Sequence, residues 1–254
     1  MSSKTNLAQA HRYVVGNWKM HGDYDLAMQM VAVCRQVGPL DQVGVVICPP
    51  FPFLHTFADL LNVGTCHLGA QDCSEAESGA RTGEVSAAML AALHCRYVIV
   101  GHSERRDFHG EDDDNVANKA VQAQKNGLVP IVCVGETANE RMAGQAKDKV
   151  MQQLTVFKKL DNRQPCMVAY EPVWAIGSGQ VPSADDITSM HGFIIETLQS
   201  MGFTNLPVLY GGSVKPDNAG DIMVLAGVSG VLVGGASLDP GGFFAIAKAA
   251  NFLP

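Results

Sequence analysis

The chain has few charged side chains, few aromatic side chains and no long apolar run, and each shortage excludes a class of protein. Charged residues make up 17% and aromatic residues 7% of the 254 positions, whereas 47% are hydrophobic, so a disordered or fibrous chain is excluded. The 18 Lys and Arg residues are outnumbered by 25 Asp and Glu residues, and the formal net charge of −7 argues against a surface for nucleic acid or anionic membranes. No apolar run approaches the roughly 20 residues needed to cross a bilayer. The composition predicts a globular chain with a sizeable core.

Cysteine is present without the pattern of a disulfide framework. The seven residues are odd in number and no Cys-x-x-Cys occurs, so we expect buried, reduced thiols in a reducing compartment. They are Cys34, Cys48, Cys66, Cys73, Cys95, Cys133 and Cys166. Residues Met1–His11 lack the apolar segment of a signal peptide, and we therefore expect a cytoplasmic protein.

Short runs of apolar, β-branched residues recur along the whole chain. Most are continuous rather than alternating, which is typical of strands that are covered on both faces in a parallel sheet. The eight runs are Tyr13–Asn17, Val43–Cys48, Thr65–Ala70, Tyr97–Val100, Val129–Val134, Met167–Tyr170, Val208–Tyr210 and Gly230–Val233.

Segments with helical spacing lie between these runs. The clearest segment has apolar residues and one histidine at helical spacing. It follows Ser183, which precedes Asp186 by three positions and is a suitable N-cap. Its buried face should hold Ile187, Met190, His191, Ile194, Leu198 and Met201. A second helix should begin within Glu111–Asp114 and end near Gly127. Its acidic residues could be a metal site, but carboxylates that stabilise a helix N-terminus explain them better.

Two architectures fit eight strands that alternate with helices. One is an open, doubly wound sheet, and the other is a closed (β/α)₈ barrel. Eight units within 254 residues favour the barrel. No linker, charge block or low-complexity stretch divides the chain, so we expect one domain over residues 11–254 after a short disordered extension over residues 1–10.

Polar and glycine residues follow five of the predicted strands, at the end of the barrel where functional groups collect. Glycine pairs after the seventh and eighth strands let backbone N–H groups approach a ligand, and a short helix starting at Gly234 would add its positive end. One Gly-Gly pair alone is typical of a turn. Two pairs at these positions predict a phosphate site. The segments are Asn17-Trp18-Lys19, Gly101–Arg106, Glu171–Gly179, Gly211-Gly212-Ser213 and Gly234-Gly235-Ala236-Ser237.

Glu171 emerges at the mouth of the predicted barrel, where a carboxylate in a partly dry site can act as a general base. Taken singly, Glu171 could be a salt bridge, His102 a structural histidine and Lys19 a solvated charge. Their agreement on one face of the barrel favours a catalytic site. The segment 172–179 combines proline and tryptophan with two terminal glycines, which suits a rigid lid on two hinges rather than a passive loop.

These residues resemble those of the triosephosphate isomerase family, over nearly the whole chain and in long, correctly placed motifs. The barrel fold takes its common name, the TIM barrel, from this family. The matching stretches are Gly16–Met20, Gly101–Arg106, Cys133–Thr137 with Glu140-Arg141, Tyr170–Gly177, Tyr210–Val214 and Val233–Ser237.

The resemblance implies the interconversion of dihydroxyacetone phosphate and glyceraldehyde 3-phosphate, a step of glycolysis and gluconeogenesis. Glu171 would move the proton between neighbouring carbons. His102 would be a neutral electrophile at a helix N-terminus, a role for which this family is itself the usual example. Lys19 would supply positive charge, and Asn17 a polar donor. No metal or organic cofactor is implied, because the substrate's own carbonyl is the electron sink.

The resemblance also assigns the phosphate site, the supporting residues and the assembly. Backbone amides of Gly177, Ser213, Gly234 and Gly235 would bind phosphate. Supporting positions are Ser103, Glu104 and Cys133. A loop over residues 71–84 would enter a partner subunit of a homodimer, with Thr82 approaching the partner's site and Met20 lying nearby.

Three positions depart from the family's usual pattern. Ser178 replaces a threonine, Gln180-Val181-Pro182 replaces a more typical Lys-x-Ala hinge, and Arg81 replaces an aromatic residue. Two alternative functions stay open on the residues alone. One is a catalytically inactive phosphate-binding barrel, although no part of the constellation is missing. The other is a different sugar-phosphate isomerase or epimerase, although the strand ends offer one well-placed histidine and no cluster of metal ligands.

Overall fold

The computed structural model describes residues 12–36, 40, 42–60, 66–176 and 182–251, without the side chains of 59 and 60. The predicted extension over residues 1–10, the outer domain boundaries and the lid residues 177–181 lie outside these ranges. No helix within them is long and apolar enough to cross a membrane.

Eight parallel strands form a closed barrel in the order β1 to β8, and β8 pairs with β1. This confirms the (β/α)₈ prediction over the open sheet. The predicted strands agree with the observed ones, except that β1 begins one residue earlier and Thr65 lies outside the described residues. The strands are β1 (Arg12–Asn17), β2 (Val43–Cys48), β3 (Cys66–Ala70), β4 (Tyr97–Val100), β5 (Val129–Val134), β6 (Met167–Tyr170), β7 (Val208–Tyr210) and β8 (Gly230–Val233).

Helices connect the strands and surround the barrel. The α-helices are α1 (Tyr24–Gln36), α2 (Leu54–Leu60), α3 (Ala87–Ala92), α4 (Ser103–His109), α5 (Asp113–Lys125), α6 (Ala138–Met142), α7 (Ala146–Leu154), α8 (Ala184–Ser200), α9 (Ala219–Met223) and α10 (Pro240–Asn251). Short 3₁₀ helices cover Phe51–Phe53, Thr155–Lys159, Val173–Ala175 and Gly235–Leu238.

The core has two layers because successive side chains of a strand point to opposite faces. One set of alternating strand residues fills the barrel interior, with Tyr13 and Val15 of β1 beside Tyr97 and Ile99 of β4. The other set packs against the surrounding helices. Both faces of each strand are therefore buried, which explains why the strands are continuous apolar runs.

The two helices predicted from spacing begin where expected. Ser183 and Asp186 form a capping box at the start of α8, and the predicted apolar face is buried up to Leu198. Asp112 is the N-cap of α5, with two further carboxylates in the first turn. Those acidic side chains stabilise the helix N-terminus.

Barrel closure brings the residues that follow the strands to one end. The Glu171 N–H donates to the Val134 carbonyl at the end of β5 over 2.7 Å. The Gly211 N–H donates to the Tyr170 carbonyl at the end of β6, also over 2.7 Å. These bonds continue the strand pairing one residue past β6 and β7 and fix the backbone from which Glu171 projects. All seven cysteines are buried, and none is in a disulfide.

Candidate active site

A cavity of about 550 Å³ opens at the carboxyl ends of the strands. It brings together every described residue of the predicted catalytic and substrate-binding sets. Its lining consists of Asn17, Lys19, His102, Glu171, Ile176, Gly211, Gly212, Ser213, Val214, Lys215, Leu232, Gly234, Gly235 and Ala236. The lid residue Gly177 lies outside the described ranges.

The segment after β1 carries Lys19 into the cavity through an unusual backbone conformation. The buried Trp18 anchors the segment, and its N–H donates to the Cys48 carbonyl over 3.2 Å. Lys19 then adopts a φ of 53°, which is uncommon for a residue other than glycine. Its N–H donates to Asn17 Oδ1 over 3.0 Å, and its Nζ lies 2.5 Å from Glu104 Oε1. Because Asn17 Oδ1 is engaged in this way, its amide group is left to face the cavity as a donor.

His102 is the N-cap of α4 and meets Glu171 inside the cavity. Its Nδ1 accepts the Glu104 N–H over 3.2 Å, and its Nε2 lies 2.8 Å from Glu171 Oε1. Burial is the largest single influence and lowers the pKa of His102, yet the neighbouring carboxylates, Glu171 above all, raise it overall. We assign a neutral ring with its proton on Nε2, because an imidazolium could not accept the Glu104 N–H.

Glu171 is 2% exposed, and both of its carboxylate oxygens have donors. The Ser103 N–H donates to Oε2 over 2.9 Å, and His102 faces Oε1. Burial, the largest single influence, raises the pKa of Glu171, but His102, the Ser103 N–H and Lys19 together lower it below the ordinary value. The carboxylate is therefore ionised at neutral pH, and both of its oxygens are engaged by donors at the wall of the cavity.

Cys133 lies fully buried beside Glu171. Burial, and then the Glu171 carboxylate, raise the pKa of its thiol. A thiol that stays protonated is a poor nucleophile, so Cys133 offers the carboxylate a buried, uncharged neighbour.

Glycines form part of the wall of the cavity. A Cβ at position 212 would lie 2.2 Å from the Tyr210 hydroxyl, and a Cβ at position 211 would lie 3.0 Å from Glu171 Cγ. Gly235 has open space around it, and the helix predicted at Gly234 is a single 3₁₀ turn over Gly235–Leu238. That turn is too short to supply a long helix dipole, so what the wall offers an anion is backbone N–H groups at close range.

A buried carboxylate holds the first residues of the predicted lid. Glu136 Oε1 accepts the Trp174 Nε1–H over 2.8 Å and the Tyr170 hydroxyl over 3.1 Å. The Arg141 guanidinium lies 4.4 Å from the centre of the Trp174 ring. The predicted lid therefore begins beside a tryptophan whose ring is held in place. Burial raises the pKa of Glu136.

Three residues at or beside the cavity were not predicted from the sequence. Glu136 was recognised only as part of the motif Cys133–Thr137. Lys215 lines the cavity and has no ion-pair partner in the described part of the chain. Gln71 follows β3 and donates to the carbonyls of Lys19 and Cys48. The signal that found Glu171, a polar residue directly after a strand, could have found Gln71.

Thr82 lies outside this cavity, in an exposed loop. The loop is braced internally, because Arg81 pairs with Glu75 over 3.2 Å and the Ser74 N–H donates to the Val85 carbonyl over 2.8 Å. Within the described residues, no group of three or more His, Cys, Asp and Glu side chains is arranged to hold a metal ion.

Known proteins match this chain along almost its whole length. The family model described as Triosephosphate isomerase matches residues 12–250. The triosephosphate isomerase of Halorhodospira halophila is 45% identical over 246 residues, which cover 94% of this chain and 98% of the relative. That of Polynucleobacter necessarius is 46% identical over 251 residues, with 93% and 98% covered, and that of Stenotrophomonas maltophilia is 44% identical over 245 residues, with 94% and 98% covered.

Proposed function

The chain belongs to the triosephosphate isomerase family, and from that premise we propose how its residues interconvert dihydroxyacetone phosphate and glyceraldehyde 3-phosphate. The observation that carries the proposal is the contact between Glu171 and His102, 2.8 Å apart in a cavity closed on one side by glycines. A base, an imidazole and an anion site in one cavity fit the transfer of a proton next to a carbonyl.

Glu171 acts as the base. Its ionised carboxylate leaves the Ser103 N–H and His102 when a substrate enters, removes a proton from one carbon and returns it to the neighbour. A carbon next to a carbonyl is a weak acid, so the reaction also needs stabilisation of the enediolate that forms. Loss of the Ser103 bond on leaving strengthens the carboxylate as a base, because that bond lowers its pKa.

His102 acts as the electrophile in its neutral form. Once Glu171 has moved to the substrate, the chief influence that raises the pKa of His102 is gone, and burial at the start of α4 keeps it low. The Nε2–H then points at the space that the substrate oxygens occupy. Donors fixed in this way stabilise developing negative charge without having to reorganise.

Lys19 and Asn17 complete the polar end of the cavity, and the glycine wall binds the phosphate. The Lys19 ammonium lies beside the cavity with Glu104 as its counter-ion, and the Asn17 amide donates to substrate oxygens. Backbone N–H groups at Ser213, Gly234 and Gly235 take the phosphate, joined by Gly177 of the lid. Lys215 adds a positive charge at the same wall. No cofactor takes part in this scheme.

The protein works as a homodimer in which the loop over residues 71–84 enters the partner. Two observations support this assembly. The loop is preformed by its own hydrogen bonds, and Met20, beside Lys19, is 95% exposed. A partner that covers Met20 would bring its own Thr82 next to Lys19. The cytoplasmic location stays a prediction.

A coupled assay of glyceraldehyde 3-phosphate isomerisation, with and without EDTA, tests the proposal. The wild type is compared with Glu171→Gln and with Glu196→Gln, which removes an exposed carboxylate of α8 as a matched control. We expect turnover that EDTA does not change, that is lost in Glu171→Gln and that persists in Glu196→Gln. A folded wild type without turnover would instead favour an inactive phosphate-binding barrel, and inhibition by EDTA would favour a metal-dependent sugar-phosphate epimerase.

A further inference from the structure

We propose that Gln71 is a positioning residue for catalysis, which holds the Lys19 backbone in its left-handed conformation and so aims the ammonium into the cavity. The inference rests on the proposed function. Gln71 does not line the cavity, and it acts only through Lys19.

The backbone of Lys19 is held at both of its polar groups. Its N–H donates to Asn17 Oδ1 over 3.0 Å, and its carbonyl accepts from Gln71 Nε2 over 2.9 Å. The second Nε2–H of Gln71 donates to the Cys48 carbonyl, also over 2.9 Å. Gln71 directly follows β3. Its side-chain amide therefore connects the segment after β1 to the end of β2.

This bridge matters because the conformation it holds is costly. A φ of 53° is disfavoured for a residue other than glycine, and such residues persist only where their surroundings hold them. The surface ion pair with Glu104 cannot do this alone, because both side chains are partly exposed, at 27% and 41%. Without the bridge, the segment can relax to negative φ, which turns the Lys19 side chain away from its present direction.

The chemistry of the amide explains why glutamine stands here. Both groups that it contacts are carbonyl acceptors, so the side chain must offer two donors from one atom. A glutamate of the same size would place lone pairs against two carbonyl oxygens. A methionine would keep the volume and lose both bonds.

The test is a double-mutant cycle in kcat/KM, built from Gln71→Met, Lys19→Ala and the two combined. We expect Gln71→Met to lower kcat/KM on the order of tenfold in the wild-type background and less than twofold when Lys19 is already alanine. Equal losses in the two backgrounds would overturn the proposal, because Gln71 would then act independently of Lys19. No loss in a folded Gln71→Met variant would overturn it as well.

Gln124→Met is the matched control for a structural loss. Gln124 also bridges backbone groups through its amide, at Asp161, on the side of the molecule away from the cavity. We expect this variant to lower the melting temperature and to leave kcat/KM unchanged. If Gln71→Met does not fold as a dimer by sedimentation velocity, Gln71→Asn replaces it, since the shorter amide cannot reach both carbonyls.

A second readout needs no turnover and separates this inference from the proposed function. The rate at which acetic anhydride acylates Lys19, relative to Lys248 in the same molecule, is measured by mass spectrometry. We expect that ratio to change at least threefold in Gln71→Met and not in Gln124→Met. If the wild type is inactive but the ratio still changes in Gln71→Met, the proposed function is wrong and the positioning role stands. If the ratio is the same in Gln71→Met and the wild type, the positioning role alone is wrong.

Discussion

At the scale of single residues, the site depends on how Glu171 is held before it reacts. Both carboxylate oxygens accept hydrogen bonds, one from Ser103 and one from His102, and the side chain is almost fully buried. In the mechanism that we propose, the carboxylate leaves these donors and moves to the substrate carbon. Its reach along that path is set by the length of its side chain.

Glu171→Asp tests this reach. The shorter side chain withdraws the carboxylate by about an ångström, and a displacement of that size can cost on the order of a hundredfold in rate. We expect kcat to fall by about that factor while KM changes little, because phosphate binding at the glycine wall is untouched. Steady-state kinetics measure both constants, and an unchanged kcat would remove Glu171 from the role of base.

The pH profile of kcat/KM tests the coupling between Glu171 and His102. The base must be ionised, and its pKa is lowered chiefly by His102, against the opposing effect of burial. The wild type should therefore keep its activity to a pH below the ordinary glutamate pKa. In His102→Gln the lowering is lost, so the acid limb of the residual activity should move to higher pH. An acid limb at the same pH in both proteins would contradict the coupling.

The sequence predicted the residues that line the cavity but not the polar residues packed around it. Glu171, His102 and Lys19 each follow a strand, so the rule that barrel sites form at strand ends was enough to find them. Glu136, Gln71 and Lys119 were not predicted as functional or buried polar groups. Their partners are separated in sequence, as with the Lys119 ammonium and Asp72, 2.7 Å apart. The folding of consecutive β/α units against each other makes these pairs neighbours.

At the scale of elements, the ends of β5 and β6 fit together too closely for any side chain between them. A Cβ at position 135 would lie 1.7 Å from the Glu171 carbonyl oxygen. Gly135 is also bonded at its N–H and carbonyl by the buried Gln153, over 2.7 and 3.1 Å. The backbone that carries the base is thus positioned by the absence of a side chain on the neighbouring strand.

Gly135→Ala should therefore damage stability and activity together. The added methyl group meets backbone, which has to move, so we expect a loss of about 1–3 kcal/mol in stability and a lower kcat. Gly192→Ala is the control, because that helical glycine has nothing within 4 Å and alanine is the better helix former by about 1 kcal/mol. It should raise the melting temperature without changing kcat. Thermal melts and steady-state assays measure the stability and the kcat of both variants. A Gly135→Ala variant with wild-type stability and kcat would contradict the close fit.

The accuracy of prediction at this scale follows from how elements are buried. Strands covered on both faces appear as continuous apolar runs, and all eight were found within one residue in the described part of the chain. Long helices such as α8 repeat their pattern over several turns. Short helices such as Ala87–Ala92 and Ala138–Met142 span too few turns to show a period, and only their capping residues, Ser86 and Thr137, mark where they begin.

At the scale of the whole molecule, the chain exposes an apolar side chain next to a cavity residue and a braced loop outside the cavity. Met20 is 95% exposed although it directly follows Lys19, and the loop with Thr82 projects with its own ion pairs formed. Singly exposed apolar side chains are normal at protein surfaces, so the case for an interface rests on Met20 together with the braced loop. This arrangement is what the proposed homodimer explains.

Met20→Glu should weaken the dimer, because a carboxylate would be buried at the interface without a partner. We expect the concentration for half-dissociation to rise at least tenfold in sedimentation velocity. Met142→Glu, at a methionine that is 79% exposed on α6, should leave association unchanged. If both variants dimerise as strongly as the wild type does, Met20 is not in the interface. If the wild type is monomeric at every concentration, the proposed dimer does not form.

The role of Glu171 as the base is tested by deuterium incorporation in D₂O. NMR follows the incorporation while dihydroxyacetone phosphate comes to equilibrium with its isomer. A carboxylate base exchanges its proton with solvent over repeated turnovers, so the account predicts deuterium at the carbon from which Glu171 removes the proton. In Glu171→Gln the incorporation should be slower by orders of magnitude. Equilibration by the wild type without any deuterium would mean that hydrogen moves directly between the carbons, and the account of Glu171 as the base would be wrong.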